Sequence, residues 1–429
     1  GTAIKVENGK AVVTRPEQAN EVVTLKAEFS IGSIKKTKDF KVTVLKKLNV
    51  AESIQAALGA IEIPNGKDIR DNITLPTEMQ VPGEPEKVTL TWKSDKAEII
   101  TDSKNDKNQE AGMVTRPAQD TEVTLTATAS MEGQSDSKDI KVTVKAKKEL
   151  GKTTSYLFAH FTGTEGRDTD EQIYFATSED GSDWLDMTAN GDPALTSTVG
   201  EKGVRDPFLL RSHNGDKFWL IATDLSIFHR GGWSKAQATT TGSKELVIWE
   251  STDLVNWGEP RLADVASKIP GAGMAWAPEA YYDEETGNYV VYWATRSSET
   301  NKVGAPVNMF YCTTRDFYTF TEPVLWIDRD HDIIDTTMIY NDKDGKYYRA
   351  SGDGQITIES SESIYEGWEI IGTLKDIFNN NNYSGAKLEG PEFFEYCEDD
   401  WLKGADGKPV RTWGLMCDQY ADGKGYLPF

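Results

Sequence analysis

Four acidic residues stand at similar places in the sequence, each just ahead of a β-hairpin signal. They are Asp206 in Arg205-Asp206-Pro207, Glu279 in Trp276-Ala277-Pro278-Glu279, Asp335 in Ile334-Asp335-Thr336 and Glu389 in Leu388-Glu389-Gly390-Pro391. Paired carboxyl groups can break a glycosidic bond, one protonating the leaving oxygen while the other activates water. A third acid nearby raises the pKa of the proton donor, because like charges resist joint ionisation. A single acid–proline pair is an ordinary turn, as in Gly191-Asp192-Pro193. Four acids before four hairpins point instead to one funnel into which all of them project.

Other side chains can contact a sugar around such a set. Trp233, Trp276, Phe228 and His229 can stack on or bond to a ring, although core packing accounts for most tryptophans of the chain. Asp224 and His331 fall near strand ends and can meet hydroxyl groups, as a capped turn also would. Asp342-Lys343-Asp344-Gly345 lacks the further ligands of a calcium loop and reads as a hairpin turn. Cys312, Cys397 and Cys417 match no zinc spacing, and an odd count of three argues against a disulfide framework. No metal and no cofactor is expected. Asn72-Ile73-Thr74 and Asn382-Tyr383-Ser384 are formal glycosylation sequons.

The elements that must position the acids are hairpins. Phe208–Leu210 turns through Asn214-Gly215 into Phe218–Ile221, Ala280–Tyr282 through Gly287-Asn288 into Tyr289–Tyr292, and Met338–Tyr340 through Asp344-Gly345 into Lys346–Tyr348. A fourth runs from Pro391–Phe394 to Thr412–Leu415. Turns with a hydroxyl and an acid lead to an aromatic residue at Trp184, Trp257, Phe320 and Trp368, the last through Ser361-Glu362-Ser363. Four-stranded units of roughly 50–70 residues with such punctuation predict a β-propeller. In the first unit, Ser155–Ala159 and Gln172–Ala176 read as strands with no first strand before them.

Residues 1–150 carry 23 basic and 23 acidic side chains, so the formal net charge of -22 falls wholly after residue 150. Of the 12 Trp only Trp92 lies in that first part. Two kinds of domain therefore meet near Lys145–Lys152. The acidic part would repel a phosphate backbone, which argues against nucleic acid, and suits a neutral carbohydrate. No apolar run reaches the roughly 18 residues of a membrane span.

The N-terminal part repeats itself. Val13-Thr14-Arg15-Pro16 recurs as Val114-Thr115-Arg116-Pro117, and Asp39–Val44 as Asp139–Val144, at an offset of 100–101 residues. These segments alternate as half-buried strands do. The second copy, 47–149, is whole and opens with a short helix over Val50–Leu58. The first, 1–46, has only its back half. The chain starts Gly1-Thr2-Ala3 without an initiator Met and stops shortly after the fourth hairpin, so both ends are expected to be cut.

Two resemblances give these patterns a family. Asn72-Ile73-Thr74-Leu75-Pro76, Thr91-Trp92-Lys93-Ser94 and Val114-Thr115-Arg116-Pro117 resemble the atrophied bacterial immunoglobulin-like domain, a β-sandwich spacer of secreted, surface-associated proteins. Val204-Arg205-Asp206-Pro207-Phe208, Trp276-Ala277-Pro278-Glu279, Ile334-Asp335-Thr336-Thr337 and Leu388-Glu389-Gly390-Pro391 together resemble glycoside hydrolase family 43 over residues 150–429. That resemblance implies an all-β, five-bladed propeller and a mostly inverting hydrolase of arabinose-, xylose- or galactose-containing glycans. It implies Asp206 as general base, Asp335 as pKa modulator, Glu389 as general acid and Glu279 as a channel acid near the substrate. The expected activity is removal of terminal α-L-arabinofuranose by an extracellular or surface-held enzyme. A β-xylosidase, a β-galactofuranosidase and a carbohydrate-binding propeller without turnover are the alternatives.

Overall fold

The computed structural model describes residues 3–428 apart from 9, 189, 298–305, 355, 379–387, 398–401, 404 and 421–424. The sequon Asn382-Tyr383-Ser384 falls outside the described residues. The chain divides into two compact units, one built from residues 1–69, 73–106 and 110–146, the other mainly from 147–429.

In the first unit a helix spans Val50–Ala60. Asn49 caps it: its side chain accepts from the Glu52 amide at 2.9 Å, and the Glu52 carboxylate accepts from the Asn49 amide at 3.1 Å. This reciprocal pair satisfies two otherwise orphaned donors. Ile54, Ala57 and Leu58, spaced for one helix face, are buried against Val88, Leu90, Ala127 and Ala129. Those four belong to an antiparallel sheet of strands Glu78–Gln80, Lys87–Ser94, Thr121–Met131 and Gln134–Val144. Ile69, Ile73, Leu75 and Ile100, from irregular chain, cover Val123, Leu125, Val142 and Val144 of the same sheet.

The repeat has a physical basis. Glu21–Ile31 pairs with Ile34–Val44 in the register that Thr121–Met131 keeps with Gln134–Val144. Each hairpin turns through two residues, and Glu132 and Gly133 both take positive φ (47° and 76°), as a tight twisted hairpin requires. Arg15 and Arg116 do one job twice. Arg15 Nε donates to the Leu45 carbonyl at 3.1 Å, and Arg116 Nε to the Lys145 carbonyl at 2.7 Å. In each copy the guanidinium fixes the chain as it leaves the last strand.

The second unit is the five-bladed β-propeller. Three sheets have four antiparallel strands in sequence order: 204–211, 218–224, 245–251 and 261–264; 276–283, 288–295, 308–314 and 324–327; 334–341, 346–352, 356–361 and 369–373. Before them stands a sheet of 156–160, 174–178 and 185–186, and after them one of 389–395, 413–418 and 426–428. We number these blades 1 to 5 in chain order. The first strands of blades 2 to 5 lie side by side.

The hydroxyl–acid turns close the third strands. Ser251 Oγ accepts from the Leu254 amide at 3.0 Å while Asp253 accepts from Asn256 at 2.7 Å, and Thr314 with Asp316 repeats this. Ser178 with Asp180 does the same after 174–178. By that marker 156–160 answers to a second strand, and it packs beside the first strand of blade 2 as second strands do elsewhere. Trp219, Trp249 and Trp293 are fully buried between blades, the packing role expected of most tryptophans.

Candidate active site

The first strands of blades 2 to 5 share one irregularity. Register with the second strand slips between Arg205 and Phe208, Trp276 and Glu279, Ile334 and Thr337, and Glu389 and Glu392. At the same point of each bulge Asp206, Ala277, Asp335 and Gly390 take φ of 49°, 46°, 52° and 54°. Left-handed backbone is unfavourable for a residue with a Cβ and concentrates where a bulge re-aims a side chain. Asp206 and Asp335 occupy this bulge position. Glu389 stands one residue before it and Glu279 two residues after it. The four acids therefore do not share one blade position, as their spacing had implied. They belong to one repeated bulge but leave it at three different points.

Asp206, Asp335 and Glu389 come together. Each sits deep in protein yet keeps a partly accessible face, as groups on a funnel floor do. Burial holds the pKa of Asp206 above its ordinary value, although the Arg205 guanidinium, the Thr223 hydroxyl and the Ala277 amide pull it back down. Thr223 Oγ1 donates to Asp206 Oδ2 at 2.8 Å and accepts from the Ala277 amide at 2.8 Å. Arg205 is held in turn by Glu165 at 2.8 Å and Glu171 at 2.9 Å. These donors favour the anion, the form a general base needs.

Asp335 and Glu389 have the opposite surroundings. Burial, then the charges of Asp206 and Glu389, push Asp335 to about 8, although the Gly390 amide donates to its Oδ2 at 3.1 Å. Burial, then Asp418, then Asp206, push Glu389 to about 7, against the pull of Arg205. A cation and donors oppose the effect of burial at Asp206, whereas at Asp335 and Glu389 burial and neighbouring acids push in the same direction, toward the protonated form. That asymmetry separates a base from an acid.

Asp418 was not singled out from the sequence. It closes the second strand of blade 5, directly across from Glu389. Tyr426 lies across from Asp418 on the third strand. A Cβ on Gly390 would come within 2.4 Å of the Tyr426 hydroxyl, a close approach that glycine avoids at a positive φ.

Glu279 is placed differently from the other three. Its Oε2 accepts from the Tyr292 hydroxyl at 3.0 Å, and its carboxyl faces Glu392 and Thr337. Burial and Glu392 raise its pKa far above the carboxylate range, and burial raises Glu392 to about 7. Two carboxyls so close share a proton. Glu279 is thus engaged by Tyr292, Glu392 and Thr337 within the packed blades.

The remaining candidates form a rim and its braces. Trp233 is half exposed, donates its indole N–H to Glu165 at 2.8 Å, and meets Trp276 edge-on at 6.3 Å. Arg205 lies over the Trp233 ring at 5.2 Å. Phe228 is partly exposed on a loop whose amides at Ile227 and Phe228 donate to Glu171 at 2.8 and 3.0 Å. His229 bridges the Glu201 carbonyl (3.0 Å) and Asp168 (2.8 Å). Asp224 is buried and accepts from the Glu201 amide at 2.8 Å, so it braces a loop. His331 lies between Asp330 (2.8 Å) and Asp353 (3.5 Å), and Asp330 chiefly raises its pKa. Among the described residues no group of three His, Cys, Asp or Glu is arranged to hold a metal ion.

Comparison with known proteins gives this arrangement relatives. A family model described as a probable glycosyl hydrolase domain, related to glycoside hydrolase family 43, matches residues 152–429. One for the atrophied bacterial Ig domain matches 52–147. An alpha-L-arabinofuranosidase of Bifidobacterium longum subsp. longum is 32% identical over 381 residues, covering 81% of this chain and 33% of the relative. The chain thus spans a third of the length of that curated relative. A thermostable family-43 glycoside hydrolase superposes with a TM-score of 0.44 at 13% identity, over 65% of this chain and 86% of that one. An exo-beta-1,3-galactanase from Phanerochaete chrysosporium gives 0.43 at 10%, over 65% and 58%.

Proposed function

The chain belongs to the probable glycosyl hydrolases related to family 43, and we propose that it removes terminal α-L-arabinofuranosyl groups from polysaccharides by a single inverting displacement. The observation that carries the reading is the convergence of three acids in unlike surroundings. Asp206 is backed by Arg205, Thr223 and the Ala277 amide. Asp335 and Glu389 are held toward their protonated forms. In this mechanism Glu389 gives its proton to the glycosidic oxygen as the C–O bond breaks. Asp206 takes a proton from the water that attacks the opposite face. Asp335, bonded to the amide beside Glu389, sets the charge balance between them. Trp233 offers an exposed ring for the apolar face of a sugar. The choice of sugar is supported by the name of the 32% identical relative. The immunoglobulin-like module serves on this reading as a spacer of an extracellular or surface-held protein, which cell fractionation would test.

The deciding experiment is a hydrolysis screen on aryl glycosides of α-L-arabinofuranose, β-D-xylose and β-D-galactofuranose, with Glu389→Gln alongside. Turnover of the arabinofuranoside, lost in the variant, is expected. Preference for another sugar overturns the specificity. Sugar binding without turnover of any of the three overturns the enzymatic reading.

A further inference from the structure

We propose that Asp418 is a positioning residue for the proton of Glu389, holding it on the acid from the neighbouring strand of the same blade until a leaving oxygen takes it. The inference rests on the reading of Glu389 as general acid. Its basis is a ladder position. Glu389 and Asp418 are direct partners across an antiparallel pair. Side chains so placed share a face, with Cβ atoms roughly 4.5–5.5 Å apart. Among the described residues, neither carboxyl has a hydrogen-bond donor. Both keep a partly accessible face.

The same position in the other blades shows what it is for. In blade 2 it pairs Arg205 with Thr223, in blade 3 Trp276 with Ala294, and in blade 4 Ile334 with Gly352. Only blades 2 and 5, which carry the base and the acid, place a polar side chain there. Thr223 donates a hydrogen bond to Asp206 and favours its anion. Asp418 offers no donor when ionised, only like charge, and so favours neutral Glu389. Other groups face the pair. Arg205 and Asp206 approach from blade 2 and Asp335 from blade 4. Tyr426 lies on the third strand of blade 5, and its ring meets Phe158 of blade 1, beside His160. Among these charges Asp418 acts most strongly on Glu389, ahead of Asp206, and Arg205 opposes both.

The test is the pH profile of kcat/KM on a nitrophenyl α-L-arabinofuranoside for the wild type, Asp418→Asn and Asp418→Glu. Removing the charge should move the alkaline limb down by about one pH unit, an approximately tenfold loss at high pH with little change near pH 5. Asp418→Glu should restore most of the limb. An unmoved limb, or a uniform loss at every pH, overturns the proposal. Asp418→Ser replaces Asp418→Asn should the latter fail to fold. If Glu389→Gln keeps full turnover, the acid assignment itself is wrong. If Glu389→Gln is inactive but the Asp418→Asn limb stays, only the present inference fails. Difference infrared titration of Glu389, with and without Asp418→Asn, reads the same shift without turnover.

Discussion

Asp206 and Glu389 are both carboxylic acids on first strands of the same fold, and on the proposed reading their neighbours separate base from acid. Arg205 and Thr223 stand beside one. Asp418 and Asp206 stand beside the other. Replacing Glu389 by Gln keeps the shape and removes the proton, so kcat on substrates with poor leaving groups should fall by about 10²–10⁴-fold. A dinitrophenyl leaving group needs no protonation and should recover most of that loss. Steady-state kinetics on the two substrates checks it, and equal losses on both would remove Glu389 from acid catalysis. Asp206, Asp335 and Glu389 could be picked out as candidates because each stands just ahead of a hairpin signal. Asp418, Glu392 and Tyr426 could not, because cross-strand register brings them in and chain spacing does not display register. The one available signal was an acid ending the second strand of the fourth hairpin.

At the scale of the element, a bulge repeated in four blades does the aiming. It puts left-handed backbone at Asp206, Ala277, Asp335 and Gly390. Sequence alone located the hairpins but read the acids as equivalent, since the extra residue of a bulge leaves no trace in spacing. The slip moves Glu389 and Glu279 off the shared position and turns Glu279 toward Glu392. Gly390 gives the sharpest test of this geometry. Its Cβ-bearing variant combines a strained φ with a 2.4 Å approach to the Tyr426 hydroxyl. Gly390→Ala should therefore destabilise the propeller by about 1–3 kcal/mol. Ala277→Gly, at the same backbone conformation, should cost little. Calorimetric melting of both variants decides, and equal behaviour would contradict the bulge account.

For the whole molecule, the split in charge and tryptophan near residue 150 foretold two kinds of domain. The repeated segments, expected as half-buried strands, form a hairpin of the same register in each copy, and Arg15 and Arg116 make the same strand-exit contact. What composition could not show is how many acids fold into buried places. Asp335, Glu389 and Glu392 have folded pKa values of about 8, 7 and 7, above those of an unfolded chain. The folded protein thus holds protons that the unfolded chain releases. The stability from these groups is complete below about pH 4 and is lost as pH rises through 7 and 8. The propeller's melting temperature should fall between pH 5 and pH 8. Glu392→Gln, which removes one such proton demand at nearly constant shape, should flatten that fall. A melting temperature that rises over this range, or a variant with an unchanged slope, would refute the buried-acid picture.

The central claim is that Glu389 and Asp206 act on opposite faces of one glycosidic bond, with water between the base and the sugar. Proton NMR of the first-formed product from an α-L-arabinofuranoside tests this most directly. A β-configured arabinofuranose signal appearing before mutarotation is the predicted result. A first product that keeps the α configuration would require a double displacement and would contradict the assignment of the two acids.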